Sequence, residues 1–100
     1  MNARAAVSTL ANGVATLVRA AATVAAVILV AKIVLTLGDA NPTNAIVQRV
    51  SDLADQLALG FKDLFTPASP KTRVLVNYGL AAVLWLVAGG LVARLIRRVG

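Results

Sequence analysis

The chain has no cysteine, no histidine and no glutamate among its 100 residues. These residue types provide most catalytic nucleophiles, general bases and zinc ligands, so their absence argues against an enzyme and against a metal centre. We therefore predict a non-enzymatic protein without catalytic residues, metal ligands or a bound cofactor. The lack of cysteine also excludes a disulfide framework.

Charged residues are scarce as well. They form 14% of the chain, whereas hydrophobic residues form 59%. In a typical soluble domain the charged share is about 25%. This composition is typical of a small membrane protein.

The net charge of +6 raises the alternative of a nucleic-acid partner. The stretch 39–73 contains all four acids and four bases and is neutral. The excess therefore lies in the two apolar segments and at their ends, at Arg4, Arg19, Lys32, Arg94, Arg97 and Arg98. Basic residues beside apolar helices favour anionic lipid headgroups over nucleic acid, and we expect Arg94, Arg97 and Arg98 to contact headgroups.

Two apolar segments are long enough to cross a bilayer. Residues 20–37 nearly cover a hydrocarbon core of about 30 Å at about 1.5 Å per residue, and residues 74–96 cover it with some tilt. Tyr78 is expected near one interface. Trp85 falls in mid-span, where its indole N–H needs a partner from another helix or from a neighbouring chain.

The first segment also has features of a cleaved signal peptide, because Gly38 and Ala40 are small residues at the positions that signal peptidase recognises. Its length and the interruption by Lys32 favour a retained span. The long stem of Lys32 can carry its ammonium group toward the nearer interface, which lowers the cost of a charge at this depth.

An amphipathic helix is predicted between the spans. We expect Asn41 as its N-cap and Pro42 as its first residue. Its apolar positions recur at helical spacing, at Ile46, Val50, Leu53, Leu57, Phe61 and Leu64. Such a helix can lie in the membrane interface, on the chain's own spans or on a partner in an aqueous compartment. We favour the first two, because an apolar stripe is usually buried against a nearby apolar surface.

The basic residues near the spans determine the expected orientation. The termini carry a thin surplus of Lys and Arg over the connection, and the stretch ARLIRRVG is densely basic. By the positive-inside rule we predict both termini in the cytoplasm.

Small residues form a seam on each span. In the second span they alternate at spacings of three and four, at Gly79, Ala82, Leu86, Gly89 and Ala93. The first helix has its own small face, at Ala11, Ala15, Ala22 and Ala26. Small residues let helix backbones approach closely, so these seams can join the two spans of one hairpin or several copies in a homo-oligomer.

A polar stripe follows the first helix with the same kind of spacing, at Thr9, Asn12, Thr16, Arg19 and Thr23. A helix from residue 5 to residue 37 would be about 50 Å long, so part of it must lie outside a hydrocarbon core of about 30 Å. In the simpler interpretation the stripe faces water or headgroups. In the alternative, several copies arrange it around a water-filled pore.

The connection begins with the motif NPTNAIV, which places Asn41, Pro42, Asn44, Ile46 and Val47 between two spans. This arrangement resembles one repeat of the YggT (YlmG-like) family of small bacterial membrane proteins. The resemblance implies two spans around an Asn-Pro-containing connection and a role in the envelope, in division or in assembly. The Ala-, Val- and Arg-rich usage also resembles that of a high-GC bacterium, such as an actinobacterium.

The predicted fold is all-α, with two transmembrane helices joined by an amphipathic interfacial helix. Its parts form one membrane unit: an N-terminal helix over 5–38 with a span at 20–37, a connecting helix over 42–65, a second span over 74–96 and a basic tail over 97–100. We expect an accessory or assembly subunit in a bacterial inner membrane, whose partners are the lipid bilayer and either copies of itself or a larger membrane complex. The alternative is a homo-oligomeric pore, either a small channel or a holin-like protein.

Overall fold

The computed structural model describes residues 2–99, and within this range every regular element is helical. The elements are α1 (Ala3–Leu37), α2 (Ala45–Leu57), a 3₁₀ helix (Leu59–Asp63) and α3 (Pro70–Val99). The predicted all-α class is confirmed. α1 and α3 form a helical hairpin, the segment between them folds back along it, and the molecule measures 58 Å by 27 Å by 17 Å.

α1 is a single uninterrupted helix that passes through Gly13 without a break. At its start, the side chain of Asn2 accepts a hydrogen bond from the first turn at 2.8 Å. At its end, the N–H of Ala40 donates to the carbonyl of Leu35 at 2.9 Å, which is the long bond of a Schellman motif. Asp39 takes the left-handed conformation that this motif requires, with φ of 55°, and Asp tolerates it better than most residues.

Small side chains form the contact between α1 and α3. The buried residues of α1 include Ala11, Ala15, Ala22 and Ala26. Those of α3 include Ala82, Gly89 and Ala93. At Gly89 the helices are so close that an added Cβ would overlap the Cβ of Ala22. Because lipid tails give no hydrophobic reward for helix association, this close packing provides the attraction between the helices.

The connecting helix starts later than predicted. α2 begins at Ala45, and its N-cap is Asn44, whose side chain accepts hydrogen bonds from the first turn at 2.9 and 3.3 Å. The side chain of Asn41 instead accepts from both the N–H and the hydroxyl of Thr43. The prediction of Asn41 as the cap and Pro42 as the first helical residue was therefore wrong, because the Asn41 amide is used inside the preceding turn.

The connection is also divided in two, whereas a continuous helix over 42–65 was predicted. α2 ends at Leu57, and a 3₁₀ helix follows after Ala58. Leu59 has φ of 56°, in the left-handed region that normally favours glycine. This conformation costs an ordinary residue about 1–2 kcal/mol. It redirects the chain so that the next residues contact α3.

α2 presents a face of small residues to the hairpin. Ala54 and Ala58 are completely buried there. Half of the predicted apolar stripe is instead exposed, at Ile46, Leu53 and Leu64. The other half is partly buried at the edge of the contact, at Val50, Leu57 and Phe61. The apolar stripe therefore lies along one flank of α2 and is only partly covered by the hairpin, which fits the interfacial position among the predicted alternatives.

α3 extends beyond the predicted span of 74–96 at both ends. Pro70 is its first residue, a position where the missing N–H costs nothing. The predicted basic tail is helical in its described part, residues 97–99, because it forms the last turn of α3. Gly100 lies outside the described residues.

The hairpin has two halves that differ in their surroundings. The connection-side half comprises residues 26–37 and 70–88 together with the connection that packs on them. Its buried cluster contains Ala26, Leu29, Ile33, Ala54, Ala58, Tyr78, Ala81 and Ala82. The termini-side half comprises residues 3–25 and 89–99, where small residues of the two long helices pack on each other.

Candidate functional sites

Polar contacts join all three helices in the connection-side half. The Nζ atom of Lys32 donates to Ser51 Oγ at 2.6 Å and lies 5.8 Å from the centre of the Tyr78 ring. The hydroxyl of Tyr78 in turn donates to the carboxylate of Asp55. The ammonium group within the first span is therefore paired with a hydroxyl and with the face of an aromatic ring of the same chain.

Asn77 fastens the end of the connection to α3. It is completely buried. Its amide donates to the carbonyls of Lys62 and Phe65 at 3.0 and 2.8 Å and accepts from the N–H of Phe65 at 2.9 Å. Each of these groups would cost about 1–3 kcal/mol if it were buried without a partner. One side chain thus satisfies three backbone groups of the connection.

Trp85 finds the partner that its mid-span position requires. Its indole N–H donates to the backbone carbonyl of Leu57 at 2.7 Å. Leu57 is the last residue of α2, and carbonyls at a helix end lack a partner within the helix. The bond therefore satisfies two groups, and its acceptor belongs to the same chain.

Sequence reasoning did not identify Ser51, Asp55 and Asn77 as contact residues. A signal was present for Asn77, because an amide inside an apolar span requires partners. Ser51 and Asp55 belong to the polar face of the connecting helix. Their partners are 19 and 23 residues away along the chain, so local periodicity could not reveal them.

The polar stripe lies on the outer surface of α1, where all five of its residues are exposed. The hydroxyls of Thr9, Thr16 and Thr23 donate to carbonyls four residues earlier, at 3.0, 2.9 and 2.8 Å. Their donor groups are therefore satisfied within their own helix. The polar groups that face outward without such a bond belong to Asn12 and Arg19.

Arg19 meets the basic end of α3. With Arg94 and Arg97 it lines a groove of about 380 Å³, whose other lining residues are Leu86, Val87, Gly90 and Leu91. A smaller cavity of about 150 Å³ adjoins it beside Ala22 and Thr23. Arg98, which was predicted to act with Arg94 and Arg97, does not line the groove. Arg19 of the polar stripe thus lines the same groove as Arg94 and Arg97, two of the three predicted headgroup residues.

The predicted seam of the second span faces α1 of the same chain. Ala82, Gly89 and Ala93 are buried, and a Cβ on Gly79 would be in ordinary contact with Ile33 at 3.9 Å. Leu86 is the exception, because 48% of it is exposed. The buried seam residues therefore pack against α1 of the same hairpin, while Leu86 faces outward and lines the arginine groove.

The apolar surface of the two long helices is largely uncovered. Only 28% of the most apolar stretch of α1 and 22% of that of α3 is buried. The core helix of a soluble protein would be mostly buried. Both helices are long and apolar enough to cross a membrane, so the exposed apolar surface of this hairpin indicates a membrane location.

No family model, no curated protein and no solved structure matches this chain.

Proposed function

We propose that this chain is a two-span protein of a bacterial inner membrane that acts by contact with other proteins and lipids, as an accessory or assembly subunit. The observation that carries the proposal is the distribution of polar, basic and apolar residues over its surface. Ser51, Asp55 and Asn77 form hydrogen bonds inside the connection-side half, five of the seven arginines lie toward the termini, and an exposed apolar band separates the two groups. The resemblance of the connection to a YggT repeat supports a role in assembly.

The apolar band has the dimensions of a hydrocarbon core. On α1 it extends between Arg19 and Lys32, and on α3 between Tyr78 and Arg94. These intervals correspond to about 20 and 24 Å at about 1.5 Å per residue. Long basic side chains extend toward the headgroups and add several ångströms at the edges, which brings the band close to the core thickness of about 30 Å.

The connection fits an interfacial position against this band. Residues 57–61 read LALGF, contain no charge and reach the level of Trp85 inside the band. Asp55 lies beside Tyr78 at the edge of the band. The connecting segment therefore inserts an apolar turn into the outer part of the bilayer while its charged residues stay with the headgroups.

The basic residues support an orientation with both termini in the cytoplasm. Both ends of the chain lie at the same end of the hairpin, because the Lys71–Asp39 ion pair joins α3 and α1 at the connection. The termini-side half contains Arg94, Arg97 and Arg98 in the last two turns of α3. Lys and Arg close to a span are retained on the cytoplasmic side.

A homo-oligomeric pore is the second candidate, and the exposure of all five stripe residues on the outer surface favours it. Several copies would have to arrange α1 around a common axis. Arg19 would then lie in the conduction path, and Arg19→Glu would shift selectivity from anions to cations. Under the contact proposal, correctly inserted protein passes no ions under voltage or membrane tension.

Cysteine labelling tests the proposed topology, because the native chain contains no cysteine. Ala68 and Val99 are exposed positions at opposite ends of the hairpin. In intact cells, Ala68→Cys should react with a membrane-impermeant thiol reagent, whereas Val99→Cys should react only after the membrane is permeabilised. The reverse pattern would invert the orientation, and labelling of both positions would contradict a two-span hairpin.

Purification in mild detergent tests the contact proposal. The full chain should retain a membrane-protein partner whose mass is measured after crosslinking. Ion conductance by the chain alone in a planar bilayer would favour the pore. Recovery of the chain as a soluble monomer after alkaline extraction would contradict both candidates.

A further inference from the structure

We infer that the groove between Arg19, Arg94 and Arg97 binds an anionic phospholipid, with the phosphate held by the arginines and an acyl chain along the apolar lining. This inference rests on the proposed membrane hairpin. It assigns a lipid partner to the termini-side half and places Arg19, which the simpler stripe interpretation left facing water or headgroups, in one site with Arg94 and Arg97.

Among residues 2–99, no acidic group compensates the charge of the groove. Its three guanidinium groups come from two helices, and within residues 2–99 none of them forms an ion pair or a side-chain hydrogen bond. All four acids of the chain lie between residues 39 and 63, in the connection. Clustered guanidinium groups repel one another until an anion separates them, and their planar donors match a phosphate group.

The groove is basic at one end and apolar at the other, as a phospholipid is anionic at its headgroup and apolar along its acyl chains. Val87, Leu91, Arg94 and Arg97 follow one face of α3 at spacings of three and four residues. The apolar members of this row lie toward the middle of the band, and the arginines lie at its edge. A free phosphate would use only the arginine end, so the apolar continuation favours a lipid.

Gly90 provides the space for the acyl chain. It lines both the groove and the adjoining cavity, and a Cβ built on it has no atom within 4 Å. A larger residue at this position would fit the protein but would occupy the groove. Gly13 on α1 is equally open and lies outside the groove lining, which makes it a matched control.

Native mass spectrometry of the full chain in a neutral detergent tests the site with two probes, phosphatidylglycerol and the zwitterionic phosphatidylcholine. The wild-type chain should bind phosphatidylglycerol in preference. Arg94→Gln should weaken this binding about tenfold, because it removes a charge-assisted hydrogen bond to phosphate. Gly90→Leu should weaken binding of both lipids. Arg73→Gln removes the same charge at an exposed position outside the groove and, like Gly13→Leu, should leave binding unchanged.

Three outcomes would overturn the inference. An equal loss in Arg73→Gln and Arg94→Gln would mean that net charge alone attracts the lipid. Displacement by inorganic phosphate, with binding intact in Gly90→Leu, would assign the arginines to a free anion. No preference for phosphatidylglycerol in a chain that resists alkaline extraction would remove the lipid site but leave the membrane hairpin standing. Extraction of the wild-type chain would instead refute the proposed function.

Discussion

In the connection-side half of the hairpin, a third layer of chain is fixed by directional bonds from Asn77, Tyr78 and Trp85. In the termini-side half, alanines pack on each other and on Gly89, and the arginines face outward without acidic partners among the described residues. Polar groups that are paired inside the chain specify its own structure. Polar groups that face outward without a partner remain available to a lipid or to another protein.

The two halves also use different physical means to hold helices together. Small residues control the distance between α1 and α3, because their backbones approach until the atoms touch. Hydrogen bonds control the orientation of the connection, because their strength falls steeply with angle. A substitution should therefore have its effect through volume in one half and through an unsatisfied polar group in the other.

Gly89→Leu should have the largest effect, because its side chain would overlap Ala22 across the hairpin. We expect a loss of about 3 kcal/mol or more in the free energy of unfolding, measured by circular dichroism during denaturation in detergent. The neighbouring Gly90→Leu faces open space and should change stability by less than about 0.5 kcal/mol. Equal losses in the two variants would show that the close approach at Gly89 does not hold the termini-side half together.

Asn77→Ala should have the next largest effect, because it leaves the carbonyls of Lys62 and Phe65 and one N–H without partners. A loss of about 2–3 kcal/mol is expected, together with faster amide exchange in the 3₁₀ helix. The matched change Asn12→Ala removes an exposed amide from the termini-side half and should be nearly neutral. Unchanged exchange in Asn77→Ala would mean that the connection is held by apolar contacts instead.

Lys71→Ala should have the smallest effect. The Lys71–Asp39 pair is close at 2.9 Å, but its side chains are 46% and 76% exposed. Such pairs contribute at most about 1 kcal/mol and are screened by salt. The loss should disappear at high ionic strength, and Arg73→Ala, at an exposed neighbour, should serve as the charge control. A loss that persists in high salt would point to packing of the lysine stem.

The long helices could be predicted because their signals are local. The apolar segments, the alanine face of α1 and the glycine and alanine positions of α3 recur at helical spacing, and the structure buries Ala15, Ala22, Gly89 and Ala93. The pattern could not tell whether these faces join one hairpin or several copies. That choice depends on the path of the chain between the helices.

The connection was harder to predict because its determinants are not local. The apolar pattern assigned Leu53 to a face covered by either the membrane interface or the spans, and it did not single out Ala54 and Ala58, whose small size allows α2 to approach the hairpin closely. The break at Leu59 carries no glycine signal, since the glycine follows it at position 60. Asn44 caps α2, because the side chain of the other candidate, Asn41, accepts hydrogen bonds from Thr43 inside the preceding turn.

The bonds of Asn77, Tyr78 and Trp85 also constrain the order in which the protein is assembled. All three residues lie on α3. Every group with which their side chains form a hydrogen bond precedes them in the chain and belongs to the connection. A ribosome therefore completes α1, α2 and the 3₁₀ helix before any of these partners exists. During that interval only contacts with α1, such as Lys32 to Ser51, can retain the connection. The arrival of α3 is thus the event that locks the connection, and a chain interrupted before residue 77 would present it unfastened to the insertion machinery.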